Sequence, residues 1–273
     1  MAIETISSSR PAAADRIPVR RIAPSDLNAA LGEGWSDFME MRGDLIFLGL
    51  LYPLIGIVAA VVTVGSPLLP LFLPIAAGVG LLGPVAAVGF YEMARRREMG
   101  LHSNWPHFLD VRKRPSFDEI AAVSGLLLAI FALWLFAAGA LYVALFGWTQ
   151  PASAGAFLTD VFTTARGWAM IVIGGAIGAV FATVVLAVSV VSMPLLVDRD
   201  VGAAEAVRTS IRATRENPGP MLRWGVIVAA LLIAGSIPLF IGLAVVLPWL
   251  GYSTWHLYTK LVDRSAIPKR KRN

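Results

Sequence analysis

The chain has 273 residues, of which 57% are apolar and only 15% charged, with a mean hydropathy of +0.71; it is too greasy for a soluble domain, and its charges are gathered into blocks. A formal charge of +5 and a pI near 9.9 raise nucleic acid as a partner, but cationic loops beside membrane spans need only the anionic lipid of an inner leaflet, so nucleic acid is excluded. The lack of any cysteine rules out disulfides, thiolate metal sites, covalent haem attachment and a cysteine nucleophile.

Residues 1–24 are polar, with Ser7 to Ser9 and Pro11 in one run and no apolar core. They read as a disordered N-terminal tail without a cleavable signal peptide, so the first span must direct insertion. From Ser25, an N-cap after Pro24, Leu27, Leu31, Trp35 and Phe38 recur at helical spacing while Asp26, Glu33, Asp37 and Glu40 form another face, which predicts an amphipathic helix over 25–41. No charge occurs from Leu45 to Tyr91. As one helix this run would be about 70 Å long, more than twice the hydrocarbon thickness. It must turn back at Gly65, Ser66 and Pro67, giving spans over 45–64 and 68–91.

Ser116 followed by Glu119, after Pro115, fits a capping box ahead of a third span over 121–148. A fourth, over 169–197, lies between Trp168 and Asp198 and holds Gly174 and Gly178, a GxxxG pair that is a candidate helix-packing face. A second amphipathic helix is expected from about Ala203 to Glu216, with Val207, Ile211 and Thr214 on one stripe and Arg208, Arg212 and Arg215 on the next. Those arginines are candidates for lipid or headgroup contact, or for pairing with the acidic face of 25–41.

The run from Trp224 to Thr259 suits either one tilted span or two. Six cations follow it: Lys260, Arg264, Lys269, Arg270, Lys271 and Arg272. Two spans, over 222–238 and 240–260, return them to the cytoplasm with every other Lys and Arg except Arg166. The expected fold is thus all-α: a polytopic membrane bundle of six transmembrane helices with N and C termini cytoplasmic, plus short amphipathic cytoplasmic helices. A single membrane domain covers 25–262, and 263–273 is a basic C-terminal tail. Trp148 and Trp168 would mark the outer interface and Tyr91, Trp224, Trp255 and Tyr258 the inner one. The order amphipathic helix, hairpin, basic stretch at 25–97 and again at 203–264 suggests a parallel internal repeat.

The stretches SMPLLVDRDVGAAEAVRTSIRATRENPGPMLRWG (Ser192 to Gly225), VRRIAPSDLNAALGEGWSDF (Val19 to Phe38) and GFYEMARRREMG (Gly89 to Gly100) resemble an uncharacterised bacterial family of integral membrane proteins. That family is a domain of unknown function, some members of which carry the label cytochrome c oxidase subunit I. The resemblance covers about residues 19–262, implies kinship more than activity, and carries over no functional residues.

A haem-copper catalytic subunit needs several buried histidine ligands. This chain has three histidines, His102 and His107 in the loop after the second span and His256 near the end of the sixth, so the catalytic-subunit reading fails on ligand count. His102, His107 and Asp110 match no standard metal spacing and read as solvated loop residues. No HExxH, GxSxG, P-loop or paired intramembrane carboxylate occurs, so no catalytic residue and no cofactor is expected, and the chain does not read as an enzyme. Asp198 and Asp200 read as helix-end residues. No charge sits mid-span, where it would cost at least ~2.5 kcal/mol, which disfavours proton relays and coupled pumps. Pro53, Pro74, Pro84, Pro194 and Pro248 would kink or break helices.

Two classes remain. The first is a non-enzymatic accessory, assembly or scaffold component of the bacterial inner (plasma) membrane, partnered by the bilayer with its anionic inner leaflet and by another membrane protein or complex, a respiratory complex among the candidates. The second is a passive or facilitative carrier of a neutral or apolar solute. A carrier needs a polar-lined cavity near the midplane, for which Ser124, Thr183, Ser189, Ser192 and Ser236 are at hand, unless they bond back to their own helices.

Overall fold

A computed structural model describes residues 17–49, 57, 61, 68–72, 74, 75, 78, 83–238 and 240–267. Residues 1–16 and 268–273 of the two predicted tails, most of the span over 45–64 and residues 73, 76, 77 and 79–82 of that over 68–91 lie outside the described residues. Among the described residues the fold is all-helical, with an isolated β-bridge between Val19 and Val262 and no strand. The main helices are α1 (Pro24–Gly49), α2 (Val88–Glu98), α3 (Phe117–Phe146), α4 (Ala154–Thr163), α5 (Ala165–Ser189), α6 (Ser192–Asp198), α7 (Ala203–Glu216), α8 (Pro218–Ser236) and α9 (Leu243–Leu261), with a 3-10 stretch over Trp105–Lys113.

By length and composition, three described helical stretches can cross a membrane: Phe117–Phe146, Ala165–Asp198 and Pro218–Ser236. Each hides little of its own surface inside the protein, with Phe136, Val172, Val180, Leu222 and Ile233 among the exposed apolar side chains. Water would not tolerate so large an apolar exterior, whereas lipid covers it. At 30 residues, α3 is about 45 Å long and overruns a ~30 Å hydrocarbon layer. Its surplus is the first turns, where Ile120, Val123 and Leu127 are buried in the charged end of the molecule.

That charged end is built around α9. Thirteen of its 19 residues are buried, and α1, α2, α6 and α8 all pack on it, α1 most extensively. The predicted sixth span is therefore the core helix, and it is not among the three stretches that qualify by length and hydropathy. Helix α1 runs without a break through 41–45, so the predicted amphipathic helix and the start of the first span are one element. Its buried row is Leu27, Ala30, Gly34 and Phe38, while Trp35 is 40% exposed. The small residues decide this: a Cβ on Gly34 would lie 2.2 Å from Ser253 Oγ and 2.5 Å from its backbone nitrogen, so α1 and α9 meet backbone to backbone.

Helix α7 repeats the pattern. Ala206, Thr209, Ser210 and Ala213 are buried, and the expected stripe of Val207, Ile211 and Thr214 only flanks them, because close approach to α5 and α6 demands small side chains. The predicted fourth span is interrupted at Val190 and Val191. Pro194 offers no N–H to the Val190 carbonyl, and at the break the Val191 N–H donates outside its own helix, to Ser210 Oγ of α7 at 3.1 Å. The first hairpin of the suggested repeat lies mostly outside the described residues; of the two amphipathic helices, α7 lies on α5 and α6 and α1 on α9.

Several expectations are corrected. Residues 17–23, assigned to the tail, form a strap: Arg20 N–H donates to the Leu261 carbonyl at 2.7 Å and Asp263 N–H to that of Pro18 at 3.0 Å. Asn217 clamps its middle, accepting from Ile22 N–H at 2.9 Å and donating to the Arg20 carbonyl at 3.1 Å. At the other terminus Ile267 is buried, so the described start of the basic tail belongs to the core. Asp26 rather than Ser25 closes the start of α1, its carboxylate accepting Ala23 N–H at 2.7 Å. Ser116 and Glu119 make no capping box with α3. Ser116 Oγ donates to the Leu196 carbonyl at 2.6 Å, and the Glu119 carboxylate accepts Ala203 N–H at 2.7 Å, so α3 caps the end of α6 and the start of α7. The loop after α3 contains a further helix, α4, begun by Ser153 Oγ accepting Ala156 N–H at 3.1 Å. Trp148 and Trp168 are exposed, whereas Tyr91, Trp224, Trp255 and Tyr258, expected at the inner interface, are core residues at 2% exposure or less.

Candidate functional site

The chemistry-bearing side chains collect at the charged end in three linked groups. In the first, Lys260 Nζ donates to Glu33 at 2.8 Å, His256 lies 3.2 Å from Glu33 through Nδ1 and 2.8 Å from Asp37 through Nε2, and Tyr252 reaches Met41 Sδ at 3.3 Å. Partners fall from 260 to 256 to 252 as α1 rises from 33 to 37 to 41, so the two helices run antiparallel with one row of contacts per turn. From α2, Arg97 joins the row, 2.8 Å from Asp37 and hydrogen-bonded to Glu40. The acidic face of α1 thus meets α2 and α9. It does not meet the arginines of α7.

In the second group Arg264 grips Glu98 with two hydrogen bonds, 2.6 and 3.0 Å, and Trp255 Nε1 donates to the same carboxylate at 3.1 Å. Burial alone would raise the Glu98 carboxyl, but the hydrogen bond and charge of Arg264, with the Trp255 N–H, hold it below the ordinary value of 4.5. Arg264 also lies 3.7 Å from Asp198, which accepts Tyr258 O–H at 2.9 Å and pairs with Arg199 at 3.2 Å. Asp198 is therefore a cross-link between α6 and α9 as well as a helix end. In the third, Glu92 is 2% exposed and faces Arg95 at 2.7 Å and Arg114 at 3.1 Å; Arg114 also donates to the Val197 carbonyl at 2.5 Å.

Each carboxylate named in these groups is held by cations or by N–H and O–H donors. Such an arrangement braces helices; it leaves no free base and no open ligand set. Among the described residues no cluster of three or more His, Asp or Glu could hold a metal. Around His102 and His107 the side chains serve the local turn. His107 Nδ1 accepts Asn104 N–H at 3.2 Å, and Asp110 pairs with Lys113 at 2.6 Å and Arg96 at 3.5 Å. The hydrogen bond from Lys113 holds the Asp110 carboxyl below its ordinary range.

The arginine stripe of α7 is divided. Arg208 is largely exposed and 3.9 Å from Glu205, Arg215 is exposed, and Arg212 donates to the Ile17 carbonyl of the strap and lies 3.9 Å from Glu216. Gly174 and Gly178 face α3: a Cβ at the first would be 3.4 Å from Leu141 and at the second 3.9 Å from Trp134. The strap and its Asn217 clamp went unread in the sequence, because their partners lie 195 to 197 positions apart.

The described surface includes two concavities. One, of about 90 Å³, lies between α2, α5, α8 and α9 and is lined by Tyr91, Ser189, Trp224, Leu250 and Thr254 among others. The other is shallow and bounded by Leu31, Gly32, Trp35 and Trp249. Of the five polar residues expected near the midplane, Thr183, Ser189 and Ser236 donate to carbonyls of their own helices and Ser192, the first residue of α6, to the Val188 carbonyl of α5, all at 2.6–2.8 Å.

Residues 71–198 match the model of a family described as a predicted integral membrane protein, DUF2189, a domain of unknown function. The match runs through the charged turn of α2, α3, α5 and α6, and two of the three stretches that carry the resemblance in sequence lie wholly or mostly outside it. Neither the curated proteins nor the solved structures yield a match to the chain.

Proposed function

We propose that the chain is a six-span, non-enzymatic component of the bacterial inner membrane, with both termini cytoplasmic, that acts as an accessory, assembly or scaffold partner of another membrane protein or complex. The carrying observation is that the interior carboxylates of the charged end are held by the protein's own cations and donors. Glu92, Glu98, Asp37 and Asp198 are each tied to cations or donors on neighbouring helices, and the span hydroxyls bond to their own backbones. What such a molecule offers to others is surface. The exposed arginines 208 and 215, with Arg212 beside them, suit the anionic inner leaflet, and the positive-inside rule sets the orientation.

The competing reading, a carrier of a neutral or apolar solute, draws on the cavity of about 90 Å³. That space holds a few waters and is lined chiefly by apolar groups, too small and too dry for most solutes. Two measurements separate the readings. Purification from native membranes in mild detergent, followed by mass spectrometry, is expected to return another membrane protein in fixed stoichiometry. Proteoliposome flux of small neutral solutes is expected to equal that of empty vesicles; saturable flux would replace the scaffold reading with the carrier. An impermeant reagent that labels a C-terminal tag in intact cells would overturn the orientation.

A further inference from the structure

Helix α4 sits at the end of the molecule opposite the charged groups, between the last residue of α3, Phe146, and the first of α5, Ala165. Because it joins two stretches that qualify as membrane spans, its depth is tied to the bilayer boundary on both sides. It is pressed close to α5: a Cβ on Gly167 would lie 2.2 Å from the Val161 carbonyl. Val161 is buried there, and the Phe157 ring meets Tyr142 edge-on at 6.2 Å.

The apolar arc of α4 is wider than the surface the bundle covers. Beside Phe157 and Val161 lie Leu158 and Phe162, 52% and 58% exposed. This flank continues into the exposed face of α5 through Trp168, which is 55% exposed and donates its indole N–H to the Phe162 carbonyl at 3.1 Å. Thr159 and Thr163 occupy the far side of α4 and donate to the carbonyls of Gly155 and Thr159 at 2.9 and 2.6 Å, and Thr164 donates to that of Asp160 at 2.6 Å. The threonine hydroxyls, and the Asp160 and Phe162 carbonyls near the end of the helix, are therefore satisfied within the segment. The segment also carries no unmatched charge. Asp160 and Arg166 lie 3.5 Å apart, and the Arg166 guanidinium stacks 4.9 Å from the Phe146 ring centre.

We propose that α4 is an interfacial anchor, lying along the headgroup and acyl boundary of its leaflet with lipid covering the Leu158 and Phe162 flank. An aromatic-edged helix whose one acid, Asp160, is matched by Arg166 fits a zwitterionic surface as well as an anionic one, which sets it apart from the arginine face of α7.

The chain contains no cysteine, so single labels can be placed without background. Leu158→Cys, Phe162→Cys, Thr159→Cys and Thr163→Cys, each spin-labelled in phosphatidylcholine vesicles, are compared by accessibility to oxygen, which partitions into acyl chains, and to a nickel chelate, which stays in water. The oxygen-to-nickel ratio should be several-fold higher at 158 and 162 than at 159 and 163, and unchanged when phosphatidylglycerol is added. Equal water exposure at all four would overturn the proposal in favour of a solvated loop. Labels at 158 and 162 shielded from both reagents and broadened by one another would overturn it in favour of contact with a second copy.

Discussion

Helices α5 and α9 are both apolar and of similar length, yet only four of the 25 residues of α5 are buried against thirteen of the 19 of α9. The protein is divided accordingly. Its hairpin half presents side chains outward and depends on lipid for their burial, a force that is strong but indifferent to register. Its charged half packs side chains inward and ties them across long sequence separations, from Glu92 to Arg114 and from Asp37 to His256. Retention in the membrane is a property of the first half, and the choice of one structure is a property of the second.

Substitutions can break this contrast. Glu92→Ala strips Arg95 and Arg114 of a buried partner and should cost about 3–5 kcal/mol, seen as loss of the monodisperse peak in detergent or a large fall in Tm; a Tm equal to wild type would show that the charged half does not set stability. Gly34→Ala forces a methyl into the Ser253 backbone and is expected to cost about 3 kcal/mol. Gly175→Ala, where a Cβ meets nothing within 4 Å, should stay within roughly 0.5 kcal/mol, so equal effects at the two glycines would erase the distinction between halves. Asn217→Ala leaves strap amides and carbonyls unpaired, at about 1–3 kcal/mol. Its direct signature is faster tryptic cleavage after Arg20 and Arg21, and an unaltered cleavage rate would mean that the strap is held by something else.

The smallest effect depends on pH. Glu98 titrates below its ordinary value in the folded chain, so its contribution is present above about 4.5 and disappears as the pH drops through the lower, folded value. The Tm difference between wild type and Glu98→Gln should accordingly narrow on acidification from neutrality. A difference that widens would reverse the sign assigned to this group.

What could be read in advance followed a physical divide. Apolar runs and blocks of charge are local, so α3, α5, α8 and the amphipathic character of α1 and α7 were legible from composition and period. Partner choice was not. The acids of α1 could have met any basic stretch, and the meeting with His256, Lys260 and Arg97 depends on backbone approach at Gly34, which no charge count contains. Aromatic residues misled for a related reason: Trp255 and Tyr258 have the amphipathic shape of interface markers, but Glu98 and Asp198 receive their polar atoms inside the core. Ser116 and Glu119 had capping spacing and spent it on neighbouring helices. The helix α4 was announced only by Ser153 and Thr164, single cap residues too common to stand alone. Six crossings could be argued from charge, whereas the helix proposed as the sixth turned out to be the hub.

The strap also sets an order of events during synthesis. Its residues leave the ribosome some two hundred positions before Asn217 and Val262, to which they fasten. Helix α1 must therefore wait, unlatched, while the intervening two hundred or so residues are made. A nascent chain stalled short of Val262 presents an unfastened strap, and one that has passed it conceals the strap, so this small clasp reports whether α9 has been made.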